Sequence, residues 1–290
     1  MIPSSTSGKP LWRRPSGSSV AACSDAMPLN DSVGLGYIQI TKRQAEKAAT
    51  VPTDEQERGI VGLLEASANR PFYYLCKRCL DVCLASVLLF LLVPVFLLIA
   101  ALIKLDSRGP VFFTHERVGA KRKKTGRETV WAVTKFGMHK FRSMLADADS
   151  RVHEAYIRDF VAGRAQRSEE KGGKFKLTND SRVTRVGRML RRTSLDELPQ
   201  LFNVLKGQMS LVGPRPVPPY EVACYRNGEH KRLAALPGIT GLWQVNGRCR
   251  VSFEEMIHMD LQYLRNASFL LDLRLLLLTI PAVLGGRGAE

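Results

Sequence analysis

A long apolar run constrains the fold more than any other feature of the chain. Residues 82–103 are 22 consecutive positions without a charged side chain, interrupted in their apolar character only by Ser86 and Pro94. As a straight helix the run would measure about 33 Å, enough to cross a hydrocarbon core of about 30 Å. A buried helix of a soluble domain rarely needs so long a run. The sequence therefore predicts a membrane-inserted helix.

The flanks of this run argue against a simple membrane span. Basic residues lie on both sides of it, at Arg70, Lys77, Arg78, Lys104, Arg108, Arg117 and 121–127. Both ends therefore favour the cytoplasmic side of the membrane. Pro94, near the centre, removes a backbone donor and clashes with the preceding turn. We therefore expect residues 71–108 to form a re-entrant helix-break-helix, broken at Pro94, that enters and leaves by one face.

The rest of the chain divides at this anchor. Residues 1–70 are rich in Ser, Gly and Pro without a sustained apolar period, which predicts a largely disordered extension. Residues 109–290 are expected to form a cytoplasmic α+β catalytic domain, mainly helical with a small β element. Its expected strands lie at 110–114 and within 129–141, and its expected helices within 146–167, at 183–192 and at 253–264. The apolar stretch 267–284 is predicted to be interfacial or packed.

The net charge and the cysteine positions indicate what kind of partner the protein has and which compartment it faces. A net charge of +16 implies an anionic partner, which could be nucleic acid, an anionic leaflet or a phosphorylated substrate. Three of the six cysteines crowd the apolar run at Cys76, Cys79 and Cys83 rather than spacing out as disulfide pairs. This favours a reducing cytosolic face, and without accompanying histidines it does not predict a zinc site.

An acidic pair between arginines is the main functional pattern. Asp196 and Glu197 precede Pro199, a residue tolerated in the first turn of a helix, and Gly207 is expected to end that helix. Carboxylates there stay ionised, and a phosphate could share the same backbone donors. The alternative is a simple capping box from Ser194 to Glu197. The surrounding arginines favour phosphate chemistry, namely Arg188, Arg191, Arg192 and Arg215 of a Gly-Pro-Arg-Pro turn.

Several long motifs carry a family resemblance. They are KRCLDVCLASVLLF with Pro94, HKFRSM at 139–144, NDSRVTRVGRMLRRTSLDELPQLFNVLKG at 179–207, SLVGPRP at 210–216 and PGITGLWQVNGR at 237–248. In this order they resemble the bacterial sugar transferase family, the monotopic phosphoglycosyl transferases, over residues 71–290. The likeness is greatest to members that initiate exopolysaccharide synthesis.

The resemblance implies an activity. Members move a sugar-1-phosphate from a UDP-sugar to a polyprenyl phosphate, usually undecaprenyl phosphate, and release UMP. They use Mg²⁺ and a re-entrant membrane helix, which agrees with the flanking charges. We therefore expect an enzyme on the cytoplasmic face of the bacterial inner membrane, in contact with anionic lipids and with other glycan-assembly enzymes, acting on glucose or galactose.

Residue roles follow from the resemblance. Asp196 would be the nucleophile that forms a covalent phosphosugar intermediate, and Glu197 would assist it; both would hold the metal. Phosphate binding would fall to Arg215, Lys140, Arg142, Arg182, Arg185, Arg191 and Arg192, for which solvated helix-face arginines are the alternative. Nucleotide or sugar binding would fall to Trp243, Gln244, Asn246 and Arg248, for which a structural loop around a buried Trp is the alternative. At His115, Ser181 and Gln208 the sequence has a different residue from the one usual in the family's motifs.

Two other functions remain to be weighed. A membrane-tethered nucleic-acid-binding protein would need a reading module or interleaved aromatic and basic residues, and an acidic pair would repel a phosphate backbone. We therefore expect no nucleic-acid partner. A catalytically silent scaffold of a glycan assembly complex is the second alternative, which the intact Asp196 and Glu197 pair disfavours.

Overall fold

The predicted membrane helix is the longest element. The computed structural model describes residues 69–125, 128–146, 151–162, 180–225, 228–246 and 251–284, so the disorder predicted for residues 1–70 lies almost wholly outside the described residues. Helix α1 covers Pro71–Asp106 and is the one helix among the described residues that is long and apolar enough to cross a membrane. Pro94 lies inside α1 and does not end it, so the predicted break is not an interruption of the helix. The re-entrant path stays a prediction.

The middle of α1 is covered less than its ends. Side chains from 86 to 98 are exposed or half-buried, with Phe90 79% exposed. Ala85 on one side of this stretch and Ile99 and Ile103 on the other are buried against the rest of the fold. An exposed apolar stretch between two docked ends suits contact with lipid.

A long hairpin follows α1. Strand β1, Phe112–Thr125, pairs antiparallel with β2, Glu128–Phe141, along the full length of both strands. The two predicted strands exist, but each is 14 residues long rather than short. The basic cluster that begins at Lys121 hid this, because charged side chains mask the alternation by which a strand is recognised.

Short elements complete the domain, and the mixed helical and β class is confirmed. The helices are α2 Arg151–Val161, α3 Arg185–Thr193, α4 Gln200–Leu205, α5 Pro219–Val222, α6 Leu242–Asn246, α7 Phe253–Asn266 and α8 Phe269–Leu284. Strands β3, Ser210–Val212, and β4, Gly238–Thr240, pair in parallel. The helices predicted at 146–167, 183–192 and 253–264 correspond to α2, α3 and α7. The motif at 237–248, expected as a loop, forms β4 and α6 instead.

A buried polar cluster fixes the start of α1 to α7 and α8. Lys77 Nζ lies 2.8 Å from Asp272 Oδ2, which also accepts a 2.8 Å hydrogen bond from Tyr73. Tyr263 donates to the other oxygen, Oδ1, at 2.7 Å. A buried carboxylate needs such a set of partners, because an unpaired charge in a low dielectric is expensive. The remaining face of α8 is exposed and, apart from Arg274, mainly apolar, including Leu270, as expected for an interfacial helix.

Breaking this cluster should destabilise the protein strongly. Lys77→Ala leaves Asp272 as an uncompensated buried charge, so we expect the free energy of unfolding to fall by about 3–5 kcal/mol. Arg274→Ala removes an exposed cation from the same helix as Asp272 and should change it by less than about 0.5 kcal/mol. Denaturant unfolding of the detergent-solubilised proteins measures both. Equal stability of the two variants would contradict the prediction.

Candidate active site

The acidic pair lies on a tight turn between two helices. Ser194 ends α3 in the left-handed region with φ 58, and Leu195–Glu197 then form a 3-10 turn before α4. The Ser194 side chain makes no capping hydrogen bond, so the capping-box alternative is wrong for this pair. Pro199 is the N-cap residue of α4, and Gly207, with φ +70, follows the C-cap as predicted. Asp196 is buried to 7% exposure by this geometry.

Lys140 brings the end of β2 to the pair. Its Nζ lies 2.8 Å from Glu197 Oε1 and 3.8 Å from Asp196 Oδ2. Burial lowers the pKa of Lys140, and the negative charges of Glu197 and Asp196 oppose that effect. The lysine that was predicted to bind phosphate therefore contacts both carboxylates of the acidic pair Asp196 and Glu197, called the dyad below.

Arg215 approaches Glu197 as a second cation. Its Nη2 lies 3.2 Å from Glu197 Oε1, the same oxygen that Lys140 contacts. The guanidinium is presented by the Gly213-Pro214-Arg215-Pro216 turn that the sequence marked as rigid. One carboxylate oxygen is thus shared by two cations, whose charges Glu197 and Asp196 together balance.

The remaining predicted arginines separate into two groups. Arg191 is half-buried and donates to Ser143 at 2.9 Å, and the charge of Asp196 acts on its pKa against the lowering by burial. Arg182 is already paired, since its guanidinium contacts both oxygens of Asp180 at 2.8 and 2.6 Å. Arg185 and Arg192 are exposed on α3 and make no contact with the dyad within the described ranges, which fits solvated helix-face residues.

The structure contradicts the prediction that Arg142 binds phosphate. Its buried guanidinium donates to the backbone carbonyls of Ser107 at 2.7 Å and Arg108 at 2.6 Å. A third, longer contact reaches the carbonyl of Ile103 at 3.4 Å. Ser107 is the C-cap residue of α1 and Arg108 follows it, so Arg142 caps the C-terminal end of α1.

The residues predicted to bind the nucleotide or sugar also differ from expectation in their surroundings. Trp243 is 3% exposed and belongs to a core cluster with Val118, Phe253 and Met256, so the structural alternative holds and its ring is not open for stacking. The amide of Gln244 is buried, and Asn246 is exposed at the end of α6. Arg248 lies outside the described residues.

Sequence reasoning gave no role in the site to His115, Arg117, His153 or Tyr220. The register pairs Phe113 with Lys140, so His115 and Arg117 lie on the same face of the hairpin as Lys140. His115 Nδ1 is 3.3 Å from Arg117 Nη2, and His153 Nδ1 is 2.7 Å from the hydroxyl of Tyr220. From the sequence, the only signal was that His115 and Arg117 are two residues apart, which places them on one face of a strand.

The donor set at the dyad is small. Among the described residues no group of three or more His, Cys, Asp or Glu side chains could hold a metal ion. Mg²⁺ is often bound by one or two carboxylates together with water and substrate phosphates. Asp196 and Glu197 therefore fit a Mg²⁺ ion shared with a diphosphate substrate, and they do not fit an all-protein cage.

Gln208 supports the site indirectly. Its Oε1 accepts from Asn203 Nδ2 at 2.7 Å, and Asn203 also accepts from the backbone of His139 at 3.0 Å and donates to Gly137 at 2.7 Å. The amide at 208 thus braces α4 against β2, the strand that carries Lys140.

Comparisons with known proteins agree with the motifs. The family model described as bacterial sugar transferase matches residues 72–286. The chain is 42% identical over 225 residues to the exopolysaccharide production protein ExoY of Rhizobium meliloti, covering 78% of this chain and 92% of that one. It is 39% identical over 213 residues to the undecaprenyl-phosphate galactose phosphotransferase of Salmonella typhimurium, covering 73% and 41%. It is 36% identical over 277 residues to the UDP-glucose:undecaprenyl-phosphate glucose-1-phosphate transferase of Xanthomonas campestris, covering 91% and 49%.

The two histidines near the dyad should make folding stability depend on pH. Burial, with nearby cations, lowers the pKa of His115 and of His153 from 6.5 to about 4. Between these values the unfolded chain binds more protons than the folded one, so the free energy of unfolding falls as the pH falls. The variant His115→Gln/His153→Gln should lose less stability over this window than the unaltered protein. Denaturation at a series of pH values measures this, and parallel curves would refute it.

Proposed function

The chain belongs to the bacterial sugar transferase family, and on that premise we propose that it transfers a sugar-1-phosphate from a UDP-sugar to undecaprenyl phosphate and releases UMP. The observation that carries the proposal is the buried Asp196 beside Glu197, whose Oε1 is shared by Lys140 and Arg215. A nucleophilic carboxylate lying beside two cations that could also contact phosphate oxygens suits attack on a phosphorus atom that bears anionic oxygens.

The transfer would proceed in two steps. A carboxylate oxygen of Asp196 attacks the β-phosphorus, and the bond from that phosphorus to the bridging oxygen breaks, with its electron pair leaving on UMP. The phosphate of the lipid carrier then attacks the aspartyl phosphosugar and restores the carboxylate. Splitting one difficult transfer in this way lowers each barrier.

Lys140 and Arg215 would hold the equatorial oxygens during both steps. Their existing contacts with Glu197 orient them before substrate binds, so little reorganisation is needed as charge develops. Asp196 and Glu197 are the residues that would hold Mg²⁺, which when bound neutralises the diphosphate.

The position of the dyad supports a lipid-linked acceptor. Asp106, at the end of α1, accepts a 3.0 Å hydrogen bond from the backbone of Val186 in α3, the helix that leads into the dyad. Arg78, in the other half of α1, donates to the carbonyls of Val204 and Leu205 at the end of α4 at 2.6 and 2.8 Å. A helix crossing the bilayer would carry these two residues to opposite faces. Their contact with one short segment therefore favours re-entry from the cytoplasmic side, with the dyad near the leaflet surface.

The names of the relatives suggest which sugar donor the protein uses and which glycan it starts. Their names specify galactose in one case and glucose in another, and ExoY is named for exopolysaccharide production. We propose a UDP-hexose donor of one of these two kinds and a role in starting exopolysaccharide synthesis at the inner membrane. Anionic lipids of that leaflet would interact with the basic surface.

The reaction is tested by UMP release. Purified protein in detergent, given Mg²⁺, undecaprenyl phosphate and UDP-glucose or UDP-galactose, should release UMP, and Asp196→Asn should abolish release because the nucleophile is lost. Without lipid acceptor, intact-mass spectrometry should find a hexose phosphate adduct on the unaltered protein alone. Arg265→Gln, on exposed α7 surface, is the control and should keep full activity. No release with either donor would favour the scaffold alternative, and release by Asp196→Asn would refute the nucleophile.

The re-entrant path is tested by labelling. With the native cysteines replaced by serine, single cysteines at Asn69 and Leu105, both exposed, flank α1. Both should react with a membrane-impermeant maleimide only after the inner membrane is opened, because both would lie in the cytoplasm. Labelling of one position in intact spheroplasts would show a true span.

A further inference from the structure

Arg117 is a cation beside the dyad whose role the proposed mechanism leaves open. In the described part of the chain no carboxylate lies within ion-pair distance of it, and its only side-chain hydrogen bond joins Nη2 to His115 Nδ1 at 3.3 Å. Its Nε is buried without a hydrogen-bond partner. A half-buried guanidinium is costly without a counter-charge, so its retention here indicates an anion that arrives with a ligand.

The strand register places Arg117 beyond Lys140 on one face. Lys140 is opposite Phe113, and successive same-face positions on β1 are His115 and Arg117. Each step of two residues is about 7 Å along a strand. The backbone N–H of Val118 donates to the carbonyl of Val217 at 2.8 Å, which fixes β1 beside the segment that carries Arg215.

Arg117 is close enough to the dyad for charges there to act on its pKa. Burial first, and Arg215 second, lower the pKa of Arg117 to about 10, while Tyr220, Glu221 and, least of the three, Glu197 act in the opposite direction. Arg117 therefore lies close enough to Arg215 and Glu197 to feel both, yet neither is its ion-pair partner within the described residues. Lys140 and Arg215 converge on the dyad, and Arg117 lies two same-face positions along β1 from Phe113, the residue opposite Lys140.

A nucleoside diphosphate sugar carries a second phosphoryl group beside the one that Asp196 would attack, and Arg117 is the next cation on the hairpin face that carries Lys140. We propose, resting on the proposed function, that Arg117 binds the α-phosphate of the UDP-sugar and, after cleavage, the phosphate of the departing UMP, with His115 as the residue that positions its guanidinium. When Asp196 bonds to the β-phosphorus, the bridging oxygen keeps the electron pair and becomes a terminal oxygen of UMP. Arg117 would stabilise the charge that develops on that oxygen.

His115 is suited to the positioning role because it stays neutral. A neutral imidazole can present Nδ1 as an acceptor to Nη2, whereas a protonated one would repel the guanidinium. Glutamine has an acceptor oxygen at the end of a similar side chain, so His115→Gln should preserve the contact and His115→Leu should not.

Two measurements on the full-length protein in lipid nanodiscs test the role. The first is UMP binding by calorimetry, which needs no turnover. We expect Arg117→Gln to weaken it roughly 10-fold or more, as for loss of a charged hydrogen bond. Arg117→Lys should recover part of the affinity, and Arg265→Gln should match the unaltered protein. His115→Leu should weaken binding by a smaller factor that His115→Gln restores.

The second measurement separates the two chemical steps. Rapid-quench assays should show UMP formation slowed about 100-fold in Arg117→Gln. Transfer from the isolated phosphosugar intermediate to undecaprenyl phosphate should change less than about 3-fold, since no UMP takes part in that step. Equal slowing of both steps, or unaltered UMP affinity in a variant with a normal unfolding transition, would overturn the inference. UMP binding that depends on Arg117 without any UMP release from UDP-sugars would instead refute the proposed function and leave the site standing.

Discussion

The fold depends on one requirement. The unpaired backbone N–H and C=O groups at helix ends must find hydrogen-bond partners where the helices meet the membrane helix α1. The two halves of α1 meet this requirement for the segment that carries the dyad. Asp106 accepts from the first turn of α3, and Arg78 donates to the last carbonyls of α4. In return Arg142, two residues beyond Lys140, caps the end of α1 itself. Because free N–H and C=O groups are costly where water is scarce, these contacts tie the anchor to the site as one unit.

This arrangement explains why catalysis and membrane insertion would be coupled. The Lys77–Asp272 pair and its two tyrosines hold the start of α1, and Arg142 holds its end. The apolar stretch between them stays uncovered by protein. A substrate with its phosphate at the leaflet surface and its prenyl chain in the bilayer would then meet Asp196 without leaving the membrane.

The cations around the site differ in whether another group already occupies them. Arg182 is neutralised by Asp180, and Arg142 keeps its charge but donates to backbone carbonyls, so neither guanidinium is available to bind a phosphate at the dyad. Lys140 and Arg215 share a single oxygen of Glu197, and Arg117 has no carboxylate partner among the described residues. Lys140, Arg215 and Arg117 therefore exceed the two carboxylates of the dyad by one positive charge, in a chain that is strongly basic as a whole.

The sequence by itself determined the local elements and the chemical class. The apolar run predicted α1, Pro199 and Gly207 bounded α4, and the acidic pair among arginines indicated phosphate chemistry, because each of these depends on neighbours within a few residues. Only the tertiary structure decided which distant side chains converge. Nothing in HKFRSM distinguishes Lys140, which reaches Glu197, from Arg142, which caps α1, since both alternate with Phe141. Packing between segments far apart in the chain buries Trp243 in the core, and strand pairing puts His115 and Arg117 on the same hairpin face as Lys140. Local pattern cannot fix such contacts, because their geometry is set by how whole elements pack.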